Sequence, residues 1–275
     1  MLVLCVVVGL ALFGLRNATA VPILRQGAVS LPQLPVGTAP IRIALLSDIH
    51  VGNIGMPPAR LDAVVAQVNA ARPDIVLLAG DFIIGDTPDG AVERARDLRH
   101  LAGLRARWGV FAVLGNHDHW TAPDTIRAEL AGAGVLTLEN DAVRRGPLAI
   151  TGIGDRFSSH DSIPVAAARA KAVGGIPIAF THSPDIAPDL PAEFPLLLAG
   201  HTHCGQGVLP WIGPIVRTAR GRTLYDQRYR CGRIEDPGRT VIVTGGVGSG
   251  ALPMRLNAPP DWWLIELTPS ARPAR

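Results

Sequence analysis

Residues 43–50, with the sequence IALLSDIH, join a run of apolar residues to an aspartate and a histidine two positions apart. Four further apolar runs also end in polar residues that can bind metal. These runs are IVLLAGD at 75–81, FAVLGNHD at 111–118, IAFTHS at 178–183 and LLLAGHTH at 196–203. Binding sites in layered α/β sheets form outside the carboxyl ends of the strands, so we expect the polar endings to meet at one rim.

Apolar runs of strand length alternate with segments of helical periodicity along most of the chain. Helices are expected at 58–72, 91–108, 123–131 and 164–172. Strands are expected at 41–46, 74–79, 110–114, 148–153, 176–180, 195–199, 240–244 and 263–267. Such alternation is typical of a layered α/β protein, and a composition that is 48% apolar is ample for its core.

The ends of the chain differ in composition from this central part. We predict an anchor or signal segment at 1–20, a linker at 21–40, one folded domain at 41–268 and a tail at 269–275. Residues 2–15 are uncharged but shorter than the roughly 20 residues that span a bilayer comfortably. A cleaved signal peptide, a short membrane anchor and a truncated start all fit, because small residues follow at 18–20 but no basic residue precedes the run. The linker is inferred from its prolines and glycines.

Charge and cysteine content narrow the function classes further. The formal net charge is only +3, so no nucleic-acid partner is expected. Seven arginines between Arg217 and Arg239 fit either a site for a diphosphate or acidic head group, or ordinary solvated charge. Three cysteines form neither a disulfide framework nor a CxxC zinc site. We favour free, half-buried thiols for Cys204 and Cys231 over a disulfide between them.

The polar endings supply a set of candidate metal ligands. The set is Asp48, His50, Asp81, Asn116, His182, His201 and His203. Asp48 and His50 are two positions apart, as are His201 and His203, and alternate side chains of an extended chain point the same way. Imidazole, carboxylate and amide donors without thiolate suit manganese, iron, cobalt or zinc better than copper(I) or iron–sulfur centres. Seven ligands are too many for one tetrahedral zinc and about right for two adjacent ions.

The motifs D-x-H, G-D, G-N-H-D, a lone histidine after a strand and G-H-x-H, in this order, resemble the calcineurin-like metallophosphoesterase superfamily from Ile41 to about Leu267. The resemblance implies a four-layer α/β fold, with two mixed β-sheets packed face to face and flanked by helices. It implies one ion on Asp48, His50, Asp81 and His203, and a second on Asp81, Asn116, His182 and His201, with Asp81 bridging. It also implies that His117 donates a proton to the leaving oxygen. Manganese is the first metal to assay.

Two further comparisons of motifs narrow the expected substrate. The segments GHTHCGQ and GGVGSGALPMRLNAPPDWWLIEL resemble bacterial membrane-attached phosphoesterases, which include UDP-2,3-diacylglucosamine hydrolases, although that branch has glycine where this chain has Cys204. Ser/Thr protein phosphatases carry Asp and Arg shortly after the G-D pair, where this chain has Phe82 and Ile83. We therefore expect hydrolysis of a lipid-linked or nucleotide-sugar-lipid phosphodiester or diphosphate at the bacterial inner membrane. A phosphodiesterase for soluble nucleotides and an inactive metal-stabilised scaffold are the alternatives.

Overall fold

The computed structural model describes residues 1–219 and 221–270, without the side chains of residues 2, 3, 6 and 7. The helices are α1 (Leu2–Ala18), α2 (Pro58–Ala70), α3 (Ala91–Ala95), α4 (Asn116–Thr121), α5 (Pro123–Gly132) and α6 (Ile163–Val173). Short 3-10 segments lie at Arg96–Gly103, Pro184–Asp189, His203–Gly205 and Gln227–Tyr229. The strands are β1 (Ile23–Leu31), β2 (Ile41–Leu46), β3 (Ile75–Ala79), β4 (Val110–Val113), β5 (Val135–Thr137), β6 (Asp141–Arg145), β7 (Leu148–Gly152), β8 (Ile176–Phe180), β9 (Leu196–Ala199), β10 (Val208–Leu209), β11 (Gly213–Pro214), β12 (Thr218–Ala219), β13 (Arg222–Thr223), β14 (Gly232–Asp236), β15 (Arg239–Val243) and β16 (Asp261–Pro269).

Two mixed sheets form the centre of the fold. The first has the strand order β1-β16-β2-β3-β4-β5, in which β2 to β5 run parallel and β16 runs antiparallel to β2. The second has the order β14-β15-β9-β8-β7-β6, in which β15, β9, β8 and β7 run parallel. Outer strands β6 and β14 are antiparallel to their neighbours.

The sheets pack face to face around a shared apolar core. Side chains from both sheets, such as Leu45 of β2 and Leu198 of β9, belong to one buried cluster. The other face of the first sheet packs against α2, α5 and the 91–103 segment, and the other face of the second packs against α6. Burial of apolar surface on both faces of each sheet gives the order helix, sheet, sheet, helix. The predicted four-layer α/β architecture is confirmed.

The predicted linker at 21–40 is wrong over nine residues. Residues 23–31 form β1, which pairs in parallel with β16 at the edge of the first sheet. Val29 and Leu31 are buried in the core between the sheets. The prolines of this region, at positions 22, 32, 35 and 40, lie outside the strand, so they do not remove hydrogen-bond donors from its ladder. Of the predicted tail, residues 271–275 lie outside the described part of the chain.

The predicted helix over 91–108 is also shorter than expected. The α-helix extends over only Ala91–Ala95 and passes into a 3-10 helix that ends at Gly103. Leu98 and Leu101 still pack into the core beneath the first sheet. The apolar periodicity therefore identified the buried face, while Gly103, a poor helix former, lies where the helix ends.

The carboxyl end of helix α1 contacts the backbone of Arg255. Gly14 O accepts a hydrogen bond from the backbone N–H of Arg255 at 3.0 Å. The amide of Asn17 donates to Arg255 O at 3.2 Å. Among the described residues, no helix combines the length and apolar character needed to span a membrane.

Candidate metal centre

The carboxyl ends of five central strands meet at one rim of the sheet sandwich. Strands β2, β3 and β4 of the first sheet lead into three of the polar endings, and β8 and β9 of the second sheet lead into the other two. The residues brought together are Asp48, His50, Asp81, Asn116, His117, His182, His201 and His203. The structure thus assembles every residue that the sequence singled out, although their roles as ligands and proton donor stay predictions.

The backbone at the rim is left-handed rather than extended. Asp48 and His50 have φ of 53° and 52°, and His201 and His203 have φ of 69° and 49°. The expectation that the paired side chains align through extended backbone is therefore wrong. Residues other than glycine rarely adopt this conformation, and where they do they cluster at functional sites. Asp81, with φ of 57°, follows the same pattern.

Glycines let the strand ends approach one another closely. A Cβ atom added to Gly115 would lie 2.5 Å from the backbone nitrogen of Asp81. One added to Gly200 would lie 2.8 Å from Asp48 Oδ2. Both distances are shorter than real Cβ contacts, so a side chain at either position would displace a candidate ligand. The glycines of the G-N-H-D and G-H-x-H motifs therefore have a packing role.

One group of candidate ligands gathers around Asp48. Nε2 of His203 lies 3.4 Å from Asp48 Oδ1 and 3.3 Å from Nε2 of His50. His50 Nε2 lies 4.0 Å from the same carboxylate oxygen. Atoms of these three residues all lie within 4.8 Å of one another, which is close enough for one cation to contact all three.

A second group gathers around His182. Its Nε2 lies 3.3 Å from Asp81 Oδ2, 3.2 Å from Asn116 Oδ1 and 3.1 Å from His201 Nδ1. Asp81 Oδ2 also lies 3.6 Å from Nε2 of His50, in the first group. Asp81 therefore lies between the two groups, where one carboxylate can contact cations on both sides.

Hydrogen bonds orient the imidazole rings toward the rim. A backbone carbonyl accepts from the outer nitrogen of three rings: Ile83 O from His50 Nδ1 at 3.4 Å, Ala79 O from His182 Nδ1 at 2.7 Å, and Leu224 O from His201 Nε2 at 2.9 Å. Because a carbonyl can only accept, the outer nitrogen carries a proton, and in the neutral ring the lone pair of the other nitrogen faces the site. This arrangement is the one that metal-binding histidines use.

Burial sets the protonation state of these rings in the metal-free protein. It lowers the pKa of His50 to about 3 and that of His201 to about 4, so both are neutral at pH 7. Burial and the charge of Arg255 hold the pKa of His203 well below its usual value. Burial would also lower the pKa of His182, but the carboxylates of Asp81, Asp48 and Asp155 together raise it well above the usual value.

The chemistry of the donor set fits divalent cations. The buried Oδ1 of Asp48 has no hydrogen-bond partner among the described residues, and it points toward two imidazole nitrogens. A buried carboxylate oxygen without a partner is costly unless a cation or another donor satisfies it. Neutral imidazoles and carboxylates together are suitable ligands for manganese, iron, cobalt or zinc.

Metal affinity should fall as the pH is lowered. Burial raises the pKa of Asp48 to about 6, so this carboxyl group is protonated below pH 6 in the metal-free protein and cannot coordinate. We expect affinity to fall as the pH is lowered, by about tenfold per pH unit for each proton that the metal must displace, and to fall more steeply below about pH 6, where the proton of Asp48 adds to that of His182. Equilibrium dialysis with Mn²⁺ between pH 5 and pH 8, followed by elemental analysis, measures the dependence. Constant affinity over this range would contradict the assignment of Asp48 as a ligand.

His117 lies beside the two groups, at the start of α4. Its Nδ1 donates to Gly85 O at 2.6 Å and lies 3.0 Å from an oxygen of Asp86. Burial would lower the pKa of His117, but the carboxylate of Asp81 and the bond to Gly85 raise it above the usual value. Since Nδ1 is occupied, Nε2 is the nitrogen available to a substrate. This geometry is that of a residue able to hold and donate a proton.

Asp118 and Arg255 form hydrogen bonds with backbone groups next to the candidate ligands. Asp118 accepts backbone N–H bonds from Asp81 and Gly115, both at 2.9 Å, and thereby joins the ends of β3 and β4. Asp118 ends the G-N-H-D motif but is not among the predicted site residues. Arg255 is not among them either, although it is the one charged residue between Arg239 and Asp261.

The guanidinium of Arg255 is fully buried and connects the 245–248 loop to His203. It donates to Gly245 O and Gly248 O, both at 2.6 Å, and one of its nitrogens lies 3.1 Å from His203 Nδ1. Backbone N–H groups of this loop in turn donate to the end of β2, where Gly248 N bonds Asp48 O at 2.8 Å. Arg255 therefore fixes both a candidate ligand and the loop behind another.

Replacing Arg255 by methionine should destabilise the protein by at least about 3 kcal/mol, because several buried carbonyl groups lose their donor. The matched control is Arg169→Met, since the side chain of Arg169 is largely exposed and should contribute less than about 0.5 kcal/mol. Urea unfolding of both variants gives the comparison. Equal midpoints in the two variants would show that Arg255 does not hold the loop.

A cavity of about 470 Å³ opens directly onto the rim. One end is lined by Asp81, Asn116, His117, His201 and His203. The remaining wall is mainly apolar, with Trp120, Phe157, Ile215, Val216, Leu224, Leu252, Met254 and Leu256. A molecule bound there would place a polar group at the candidate ligands and an apolar group against this wall.

A disulfide between Cys204 and Cys231 ties the wall of the cavity to the rim. The two Cα atoms are 4.8 Å apart, and the bond closes a loop that contains Ile215, Val216 and Leu224. The favoured expectation of free thiols at these positions is therefore wrong. Their separation of 27 residues gave no sign of the proximity that the long loop creates. Cys5 is a free thiol.

Comparison with known proteins supports the family resemblance that the motifs indicate. The profile of the calcineurin-like phosphoesterase family matches residues 41–205, which is more than half of the chain. An uncharacterized metallophosphoesterase of Aquifex aeolicus is 31% identical over 87% of this chain and 89% of its own. The chain belongs to the calcineurin-like phosphoesterase family. As a member of this metallophosphoesterase family it is a phosphoric ester hydrolase.

Two other relatives carry more specific names. The phosphodiesterase YaeI of Escherichia coli is 28% identical over 83% of this chain and 83% of its own length. A zebrafish transmembrane protein with a metallophosphoesterase domain is 29% identical over 93% of this chain. The present chain spans only 59% of that zebrafish protein.

Proposed function

We propose that the chain hydrolyses a phosphodiester or diphosphate bond by using two metal ions. The observation that carries this proposal is the position of Asp81, whose Oδ2 lies 3.6 Å from His50 Nε2 and 3.3 Å from His182 Nε2. One ion would be held by Asp48, His50, Asp81 and His203, and the other by Asp81, Asn116, His182 and His201. Two adjacent cations supply hydroxide near neutral pH and neutralise charge on the attacking and leaving oxygens.

His117 would act on the leaving group. The carbonyl of Gly85 fixes the ring through Nδ1 and leaves Nε2 for the substrate. The bond to Gly85 O and the carboxylate of Asp86 both raise the pKa of His117, so the ring can hold a proton on Nε2 near neutral pH. Transfer of that proton to the departing oxygen would remove the need for a free alkoxide.

The cavity favours a substrate with an apolar part. Ile215, Val216, Leu252, Met254 and Leu256 line the same cavity as the polar residues of the rim. A nucleoside would leave its polar groups without partners along such a wall, whereas an acyl or prenyl chain would bury apolar surface there. We therefore propose a lipid-linked or nucleotide-sugar-lipid substrate rather than a soluble nucleotide.

A substrate of this kind resides in a bilayer. We propose that the chain works at the bacterial inner membrane and reaches it through the apolar N-terminal helix α1, several of whose side chains are exposed. The partner in this setting is a phosphorylated lipid.

The full-length protein loaded with Mn²⁺ and incubated with bis-p-nitrophenyl phosphate tests the chemistry. We expect p-nitrophenol release that requires metal and that accompanies about two bound ions by elemental analysis. Protein that holds two ions but shows no turnover with manganese, iron, zinc or cobalt would indicate a scaffold.

Exposure to a membrane lipid extract tests the substrate class. Mass spectrometry should find lipid phosphodiesters or diphosphates consumed and a phosphorylated product formed in step. Consumption of added nucleotides with no change in the lipids would overturn the lipid assignment and leave the hydrolytic reaction intact.

A further inference from the structure

An exposed hairpin lies at the mouth of the cavity. We call residues 207–216 the flap, which consists of β10, β11 and the segments beside them. Trp211 at its tip is fully exposed, and Ile212 is 64% exposed. Leu209, Ile215 and Val216 are exposed as well. Neighbouring large apolar side chains in this number mark a surface that binds a partner rather than water.

Helix α1 presents a second apolar surface close to the flap. Its exposed side chains include Leu10, Leu12 and Phe13. Both elements contact the segment 254–256. Gly14 of α1 faces Met254 and accepts from the backbone of Arg255, while Leu256 O accepts from the flap residue Val208 at 2.9 Å.

The segment between the two elements belongs to the cavity. Met254 and Leu256 line its apolar wall, together with the flap residues Ile215 and Val216. Leu252, in the same wall, is 65% exposed at the surface. The exposed apolar side chains therefore border the opening through which a substrate enters.

The chain segment that contains the flap carries positive charge only. Residues 206–225 contain Arg217, Arg220 and Arg222 and no acidic residue. Arg217 and Arg222 are exposed, and Arg217 donates to Ile212 O at 2.6 Å, which holds its guanidinium at the base of the hairpin tip. Apolar side chains flanked by arginines are the composition of an element that enters an anionic bilayer interface. Two copies of this surface facing each other would bring like charges together.

We propose that the flap and α1 form one docking surface for an anionic lipid bilayer. Trp211 and Ile212 enter the interface, where tryptophan is favoured, and Arg217 and Arg222 contact the lipid head groups. The mouth of the cavity then faces the bilayer, so that a lipid can reach the rim without crossing water. The inference extends the proposed function, because it explains how a lipid-linked substrate reaches the site, but its test requires no turnover of lipid.

Vesicle binding by the full-length protein tests this surface. The double variant Trp211→Ser/Ile212→Ser is compared with Val165→Ser, which changes a half-exposed apolar residue on α6. On phosphatidylcholine vesicles with about one quarter phosphatidylglycerol, the partition coefficient of the double variant should fall at least about tenfold. The Val165→Ser control should match the wild type, because Val165 lies on α6, outside the flap and α1.

The arginines are tested by lipid composition. Replacing Arg217 and Arg222 by glutamine should lower the preference for vesicles with phosphatidylglycerol over pure phosphatidylcholine about tenfold. Arg169→Gln is the control. Quenching of the Trp211 fluorescence by brominated lipid, absent in Trp211→Phe, would locate the tip in the interface.

Equal vesicle binding by Trp211→Ser/Ile212→Ser and Val165→Ser would overturn the proposal. So would light scattering that finds the wild type self-associated without lipid and the double variant monomeric, because a second copy would then cover the flap. None of the three changed residues lines the cavity, so both variants should hydrolyse bis-p-nitrophenyl phosphate normally, which also reports correct folding. Absence of turnover in the wild type would contradict the proposed hydrolytic function. It would leave the vesicle-binding result, and with it the docking surface, unaffected.

Discussion

Substitution of Asp81 by alanine should abolish turnover and metal binding together. The carboxylate lies between both groups of candidate ligands, with Oδ2 3.3 Å from His182 Nε2 and 3.6 Å from His50 Nε2. Its other oxygen accepts the backbone N–H of His117 at 2.9 Å. Loss of the residue that contacts both cations should reduce both occupancies, and we expect a fall in kcat/KM of about 10⁴-fold or more.

Asp89→Ala is the matched control, because Asp89 is exposed and follows the same strand. Elemental analysis after dialysis and turnover of bis-p-nitrophenyl phosphate should be normal for this control. An Asp81→Ala protein that kept two ions would contradict the bridging position, even if it were inactive.

The second large effect is expected from His117→Ala, which should keep its metals and lose turnover by about 10²-fold or more. The side chain of His117 bonds Gly85 O and lies beside Asp86, and it contacts the candidate ligands only edge-on, through the ring of His50. The loss should be greater for an alkyl phosphodiester than for bis-p-nitrophenyl phosphate, because p-nitrophenolate leaves without a proton.

His100→Ala serves as the control for His117, since His100 pairs with Asp62 at 2.7 Å away from the rim. Similar metal loss in His117→Ala and Asp81→Ala would show that His117 is a ligand. Equal defects toward both leaving groups would argue for a structural role instead.

The sequence predicted much of the fold because its strongest signals are local. Apolar runs such as Ile75–Ala79 and Leu196–Ala199 are buried strands, and their polar endings meet because parallel strands share a carboxyl edge. The same reasoning placed His182 and His201 together, although they lie on different strands. Their Nε2 and Nδ1 atoms are 3.1 Å apart.

Contacts between distant segments were not predictable in this way. Strand β1 depends on pairing with β16, more than two hundred residues later, and its flanking prolines concealed it. Cys204 and Cys231 meet only because the intervening chain folds back over the rim. Arg255 has no periodicity to reveal it, and its role comes from carbonyl groups that surround it in space.

Left-handed backbone at the candidate ligands could not be inferred either. Aspartate tolerates this conformation better than most residues, but His50, His201 and His203 adopt it against their intrinsic preference. The two-residue spacing in D-x-H and H-x-H identified residues that do lie together, but their side chains converge through left-handed rather than extended backbone.

The Cys204–Cys231 bond has a practical consequence for finding the natural substrate. It closes the loop that carries part of the cavity wall without involving the ions, and in chain-entropy terms a loop of this length contributes about 3.5 kcal/mol. Removing the metal ions with a chelator should therefore stop hydrolysis while the hydrophobic recess keeps its shape. The metal-free protein, immobilised without reductant, can then capture its natural ligand uncleaved, so that the ligand can be identified.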